Sequence, residues 1–493
     1  MTRTVSASKG ALLVVGIRWT DRLIGLVSTV ILARLLVPED FGIIAMASIV
    51  IGLIDALLDM GVNVTLIQNK HATEEDYSAA WTLRLIQSAL AALLVLAVAE
   101  PAAAYFRDPR VASVIQILSL ALLLSGFENI GIVTFQKKRE FGVEFRFFFI
   151  RRISGFVLTM IAAWFLRSYW ALVIGTLGGR AVGVALSYAM HPMRPHLSFS
   201  RMKPLLSFST WNLLRGIAGY LNDTLHRFVV GGRESTAVMG SYSLASDIAA
   251  MPSTALLAPL GRVLFPLFVE LRDDLAKLKR AVLLALGIQT LIGIPAGVAL
   301  VLVANEIVWA LLGEKWMSAV PFVQIIGAVN IVSAIGRSGG FMLLALGRAK
   351  VSALSAWASV LLFAILATAV FPHADAAEIA TLRLAVAAFV LPIFFYLVKR
   401  ELRTLRLREV LASIWRPCVA SVAMALFIVA LPLDTWPAMA QLLIKVSLGA
   451  TVYVVAMLAL WRLAGCPEGA ESYLLEKSGL DRAVRYLLRQ PPF

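Results

Sequence analysis

Trp170–Met190, WALVIGTLGGRAVGVALSYAM, is an almost wholly apolar stretch with Arg180 near its centre. Wound as a helix, a run of this length spans roughly 30 Å, the thickness of a bilayer's hydrocarbon core. A guanidinium at that depth costs roughly 2.5–3.5 kcal/mol even on the gentlest insertion scale, so it must face protein, water or an anion. Arg18, Arg22, Arg84, Arg215, Arg227 and Arg337 pose the same problem in other apolar segments. So many intramembrane cations predict a polar interior, and a negatively charged cargo is the simplest reason to build one.

The rest of the chain agrees on the class. It is 60% hydrophobic and 15% charged, with a mean hydropathy of +0.83, far outside the soluble range. A net charge of +15 in a soluble chain would raise the question of nucleic acid. No nucleic-acid module is visible, and in a membrane protein the surplus reads as topology. Cys418 and Cys466 are too few and too far apart for a disulfide or metal framework. The five histidines are scattered without ligand spacing, and no HExxH, GxSxG or P-loop pattern appears. The sequence therefore predicts a non-enzyme with no cofactor and no metal. Its start, MTRTVSASKG, leads into an apolar run broken by Arg18, Asp21 and Arg22, which fits an uncleaved first helix.

Apolar windows of about twenty residues predict an all-α polytopic membrane protein of about 14 transmembrane helices. Connections alternate between cation-rich ones, such as Gln136–Arg152 (QKKREFGVEFRFFFIRR), Leu271–Arg280 (LRDDLAKLKR) and Lys399–Arg408 (KRELRTLRLR), and cation-poor ones, such as Phe371–Glu378 (FPHADAAE). The cation-rich side, with both termini, is assigned to the cytoplasm. Asp40–Ser48 (DFGIIAMAS) echoes Val238–Ser246 (VMGSYSLAS), and Val111–Leu118 (VASVIQIL) echoes Ala319–Ile326 (AVPFVQII). Each pair lies six spans apart, so the copies share an orientation. This predicts two pseudo-symmetric six-helix lobes, 1–198 and 199–400, with cargo at their interface. Two additional helices at 401–464 and a cytoplasmic amphipathic tail at 465–493 follow. The tail and Lys399–Leu411 have the composition of segments that lie on membrane lipids.

The segment Trp19–Tyr77 resembles the N-terminal signature of the polysaccharide transporter family, the Wzx-type lipid-linked oligosaccharide flippases. The match is densest at Leu32–Gly42, LARLLVPEDFG, and continues in Gly240–Ala245 (GSYSLA), Val263–Pro266 (VLFP) and Gly313–Trp316 (GEKW). That family is grouped with the multidrug and toxin extrusion proteins and the lipid II flippase. The resemblance implies alternating access in a bacterial inner membrane and a cargo of undecaprenyl-diphosphate-linked oligosaccharide. It also implies a place beside a polysaccharide polymerase and a chain-length regulator. A multidrug/cation antiporter and a lipid II flippase are the alternatives on the same scaffold. A membrane-embedded polymerase would need a long external loop, and every external connection here is short.

An anionic diphosphate head gives the arginines a task that residue chemistry supports independently, because a guanidinium stays charged and donates two hydrogen bonds to phosphate oxygens. Arg18, Arg22, Arg84, Arg180, Arg215 and Arg337 are the candidate substrate contacts. Asp21, Asp55, Asp59, Glu128, Asp223 and Asp247 are the candidate charge partners or sites of coupling to H+ or Na+. Arg18, Asp21 and Arg22 share one helical face. Asp55 and Asp59 are four apart, where like charges repel and one pKa should rise. That pattern serves proton coupling and the pairing of Arg22 or Arg84 equally well. Asp223 and Arg227 are spaced as an internal pair, and Arg337 in GRSGG (Gly336–Gly340) suits cavity and packing roles alike.

Overall fold

Proline and glycine decide where the helices stop and how closely they cross. The computed structural model describes residues 7–58, 61–69, 71–138, 140–200, 202, 210–433 and 435–478. The ordered elements among them are all helical. Two compact units divide the chain, Met1–Leu244 and Ala245–Phe493.

The helices of nine residues or more in the first unit are α1 (Ala7–Leu35), α2 (Pro38–Leu58), α3 (Glu74–Phe106), α4 (Arg110–Gly126), α5 (Phe141–Leu166), α6 (Trp170–Met190), α7 (Thr210–Arg233) and the start of α8 (Thr236–Pro252). The PEDFG turn shows how sequence sets a boundary. Pro38 opens α2, where its missing N–H costs nothing. The Val37 amide donates to Asp40 Oδ2 at 3.1 Å, while Asp40 Oδ1 accepts from the Tyr169 amide at 2.9 Å. One carboxylate thus caps α2 and ties it to the start of α6.

The quoted stretch becomes α6, and its burial follows a four-residue spacing. Ala171, Gly175, Gly179, Gly183 and Ser187 are all buried, against α5. A Cβ on Gly175 would lie 1.7 Å from Thr159 Oγ1, and one on Gly179 would lie 3.2 Å from the Gly155 Cα. Small residues let the backbones approach where no hydrophobic effect exists to drive them together.

The internal echo has a spatial counterpart. A Cβ on Gly42 would come within 1.9 Å of the Thr236 carbonyl oxygen, and one on Gly240 within 1.8 Å of the Pro38 carbonyl oxygen. The matched glycines of the two repeats therefore sit in reciprocal close contact. Tyr220 of α7 also donates its hydroxyl to the Ile49 carbonyl at 2.8 Å. These contacts hold α7 and the start of α8 within the first unit.

The second unit contains the rest of α8, then α9 (Ala258–Glu270), α10 (Leu275–Leu302), α11 (Val320–Ala345), α12 (Ala349–Ile365), α13 (Ala376–Glu401), α14 (Leu407–Val429), α15 (Ala438–Leu463) and α16 (Ala470–Ser478). Pro252 cannot donate to the preceding turn, and the helix passes through a π-turn at Ser253–Leu257. Asn330 of α11 donates its amide to the Ala249 carbonyl at 2.6 Å, serving the disturbed turn. The core runs through Phe268, Leu278, Leu286, Met342 and Leu402. Gly339 of the GRSGG motif packs against α13, because a Cβ there would meet Val398 Cγ2 at 2.8 Å, whereas a Cβ on Gly340 would meet nothing within 4 Å. Two buried ion pairs fasten the C-terminal helices. Arg416 Nη2 of α14 lies 3.1 Å from Glu471 Oε1 of α16, and Lys445 of α15 pairs with Glu306.

Ten helices among the described residues are long and apolar enough to cross a membrane, or eleven when the broken pair Arg110–Gly126 and Ile130–Lys137, bent by 63°, counts as one. The multi-span class is as expected, but this count falls short of fourteen. Three of the expected spans are missing for physical reasons: the one across α8 and α9 is broken at the π-turn into helices of 17 and 13 residues, α1 carries Arg18, Asp21, Arg22 and Arg34, and α7 carries Arg215, Asp223, Arg227 and Arg233. The charges that make α1 and α7 interesting also disqualify them by composition.

Candidate functional site

The bend after α4 makes the centre of the site. Asn129 turns the chain by accepting from the Gly131 amide at 2.9 Å, donates its own backbone amide to Ser187 Oγ of α6 at 2.9 Å, and donates its side-chain amide to the Met193 carbonyl at 2.7 Å. The preceding residue, Glu128, is thereby held in the break, only 8% exposed. Burying a lone carboxylate costs several kcal/mol, so Glu128 requires cationic partners.

It has two. Arg151 Nη1 of α5 lies 3.2 Å from Glu128 Oε2, and Arg84 Nη2 of α3 lies 3.9 Å from the same oxygen. The half-buried Arg180 of α6 is within electrostatic reach of Arg151, Glu128, Asp55 and Arg84. Asp55, on α2, is exposed and also acts on Tyr220, as does Arg227. Two guanidiniums thus meet one buried carboxylate, with Arg180 and the exposed Asp55 within electrostatic reach, a cluster with a net positive charge. Its geometry suits a partner bearing more than one anionic oxygen, since each planar fork retains donors beyond those that Glu128 can occupy.

Arg84 and Glu128 are therefore in contact, and Arg180 lies within electrostatic reach of both and of Asp55. Arg151 joins them although the sequence places it in the basic connection Gln136–Arg152, because α5 begins at Phe141 and carries it into the helix. The signal that finds it is the glycine spacing of α6: a Cβ on Gly183 would lie 2.9 Å from Arg151 Cδ. Arg152 is the other unforeseen participant. Its Nε meets Asp21 Oδ1 at 3.0 Å, with both side chains about half exposed. Asp21 thus bridges α1 to α5, beyond its own helical face.

The remaining candidates are dispersed. Arg22 is exposed on α1, while the Arg18 side chain and Asp59 lie outside the described residues. Arg215 is half-buried on α7, and its Nε has no hydrogen-bond partner among the described residues. Asp223 Oδ1 accepts from the Asn222 amide at 3.4 Å. Next to it, His226 is buried, its Nδ1 2.7 Å from the Tyr242 hydroxyl and its Nε2 3.0 Å from the Asp223 carbonyl. In the second unit Arg337 is half-buried on α11, and Asp247 is exposed between buried Ser246 and Ile248. Among the described residues no group of His, Cys, Asp and Glu could hold a metal ion.

Comparison with known proteins places these features in a family. Residues 31–321 match the family described as polysaccharide biosynthesis protein. The lipopolysaccharide biosynthesis protein WzxC of Escherichia coli (strain K12) is 28% identical over 333 residues, covering 67% of this chain and 68% of that protein. The succinoglycan biosynthesis transport protein ExoT of Rhizobium meliloti (strain 1021) is 25% identical over 297 residues, 60% of each. In fold the chain is similar to the lipid II flippase MurJ in an inward closed conformation, with a TM-score of 0.73 at 14% identity over 91% of this chain and 99% of that one.

Proposed function

The chain belongs to the polysaccharide biosynthesis protein family, as a Wzx-type membrane transporter rather than an enzyme, and from that premise we propose that it carries undecaprenyl-diphosphate-linked oligosaccharide repeat units across the bacterial inner membrane. The direction is from the cytoplasmic to the periplasmic leaflet. Both termini lie in the cytoplasm, and the exported units feed a polymerase and its chain-length regulator. The observation that carries the proposal is the cluster of Arg84, Arg151 and Arg180 around Glu128.

The physical task is to move a charged, hydroxyl-rich head through a medium that solvates neither charge nor hydroxyl. Glu128 keeps Arg84 and Arg151 oriented while the site is empty. An arriving diphosphate takes the guanidinium donors that Glu128 leaves open, so binding costs little reorganisation. Arg180, flanked by the exposed Asp55, closes the set. Outward movement of the anion is favoured by roughly 2.3 kcal/mol per charge per 100 mV of an inside-negative potential. Coupling to H+ or Na+ falls, in this reading, to Asp55, the exposed carboxylate within electrostatic reach of Arg180. The positive surplus of the cluster disfavours an organic-cation antiporter.

The proposal is tested in cells dependent on this chain for surface polysaccharide. Arg180→Ala should stop export and accumulate the lipid-linked repeat unit inside, with normal protein in the membrane. Arg180→Lys should restore only part of the export, because a point charge does not replace a fork. Full export by Arg180→Ala and Arg84→Ala alike would remove the cluster from the mechanism.

A further inference from the structure

At the opposite end of α3 from its Thr73 cap, the first unit contains a cavity lined by charged residues. Its volume is about 540 Å³, and its lining includes Phe106, Arg107, Asp108, Arg110, Arg233 and Thr236. None of these residues belongs to the Glu128 cluster. On the proposed topology the cavity opens on the periplasmic face.

The walls are fixed by a charge latch. Asp108 accepts from Arg110 Nε at 3.0 Å and Nη2 at 2.7 Å, and from Thr236 Oγ1 at 2.9 Å, tying the α3–α4 turn to the α7–α8 turn. Below it, Tyr105 stacks on Phe228 with ring centroids 4.5 Å apart, and α7 closes over this pair through Gly231 and Gly232, whose Cβ atoms would meet Phe106 at 2.9 Å and Tyr105 at 2.4 Å. Arg107 stands on this rigid frame with a φ of 58°, the left-handed conformation in which a helix end ordinarily places glycine. Its side chain is exposed and has no hydrogen-bond or ion-pair partner among the described residues. An arginine held where glycine is the easier choice, with donors open beside a cavity, marks a residue kept for what it binds.

Building on the proposed transport, we infer that this cavity is an exit subsite for a carboxylate-bearing sugar, of the uronic acid class, within the translocated oligosaccharide. Arg107 supplies the fork for the carboxylate, and the charge of Arg233 in the cavity wall adds to the attraction. The cavity opens beside the N-termini of α4 and α8, whose dipoles add positive potential. Asp108 and Thr236 set the width of the cavity through the latch. The hydroxyl of Ser235 offers an acceptor for a sugar hydroxyl, which a phospholipid headgroup site would not require.

The test uses the full chain in neutral phosphatidylcholine nanodiscs and measures the binding of digalacturonate, of maltose as its uncharged counterpart, and of phosphatidylglycerol added to the disc as competitor. Wild type should bind digalacturonate and not maltose, and Arg107→Gly should weaken it about tenfold or more while leaving thermal stability equal or higher, because glycine relaxes the left-handed turn. Arg107→Lys should fall between. Equal binding of maltose, unchanged affinity in Arg107→Gly, or loss of stability matching the loss of binding would each overturn the subsite. Displacement of digalacturonate by phosphatidylglycerol would reassign the cavity to lipid headgroups and likewise overturn it. The transport proposal is read separately: if Arg180→Ala abolishes export and Arg107→Gly binds normally, only the exit subsite falls.

Discussion

The two units each bury arginine against glutamate, and they do so on opposite terms. In the second unit the account is one-to-one: Arg416 and Glu471 are both only 7% exposed and meet each other alone across α14 and α16, and Lys445 meets Glu306 in the same manner. In the first unit one glutamate serves two arginines, with a third within reach. A balanced pair satisfies charge and holds helices in register. A surplus of guanidiniums around a single buried carboxylate leaves positive charge and open donors for something that arrives later. On the proposed function the pairs of the second unit are structural and the cluster of the first is the binding site, although Arg416 Nε and Nη1 are also buried without a hydrogen-bond partner among the described residues.

Substitutions that break this contrast should separate function from stability. The largest functional effect belongs to Arg180→Ala, which should lower affinity for undecaprenyl diphosphate ten- to roughly a hundredfold, the value of one charge-assisted fork, with little change in thermal stability. Arg416→Ala should do the reverse. Leaving Glu471 buried without its partner costs about 3–5 kcal/mol, which a melting curve in detergent would show, while replacement of both partners, Arg416→Met with Glu471→Leu, should recover most of that loss and keep export. If the double replacement instead abolishes export in a stable protein, the second-unit pair is not merely structural.

A smaller effect tests the reciprocal glycines. Gly42→Leu or Gly240→Leu drives a side chain into a backbone carbonyl that cannot yield, so the close contact between the two repeat motifs must open. A cysteine at Ser235 should then react faster with an impermeant thiol reagent than it does with the glycines in place. Unchanged reactivity in both variants would show that this contact does not control access. The smallest effect comes from the latch at the outer cavity. The Arg110 guanidinium holds the Asp108 carboxyl below the usual carboxylate range. A depressed carboxylate stabilises above its unfolded pKa, about 3.9, and loses that contribution as pH falls through the folded value. Wild type should therefore lose a small increment of stability below about pH 4 that Asp108→Asn, already without it, does not lose.

Much of this was legible in the residues, for identifiable reasons. Arg180 announces itself because charge is conspicuous in an apolar run, and Pro38 with Asp40 marks the first hairpin because both residue types carry fixed backbone consequences. Arg84 and Glu128 stand out by the same rule. What composition cannot show is which charges meet. Asp21 looks like a partner for its own helix, yet it reaches Arg152 on α5, because pairing across helices is set by crossing angle and depth, which no local spacing encodes. Arg151 hides among its basic neighbours for a related reason: a helix start shifted by a turn moves a cation from the connection into the interior. Gly183, which makes room for it, was readable as part of a small-residue stripe but not as the far wall of a charge cluster. Arg215, Arg337 and Asp247 were equally visible; Arg337 and Asp247 belong to the second unit.

The central claim is that a positive surplus in the first unit binds the diphosphate. The most direct measurement is the affinity of undecaprenyl diphosphate for the purified full chain in nanodiscs, compared among wild type, Arg180→Ala, Glu128→Gln and Arg416→Met/Glu471→Leu. Arg180→Ala should bind at least tenfold more weakly. Glu128→Gln should bind equally or more tightly at first contact, since the arginines lose their competing carboxylate, and the second-unit double variant should match wild type. Equal affinity for wild type and Arg180→Ala, or weakening confined to the second-unit variant, would contradict the assignment of the site to the Glu128 cluster.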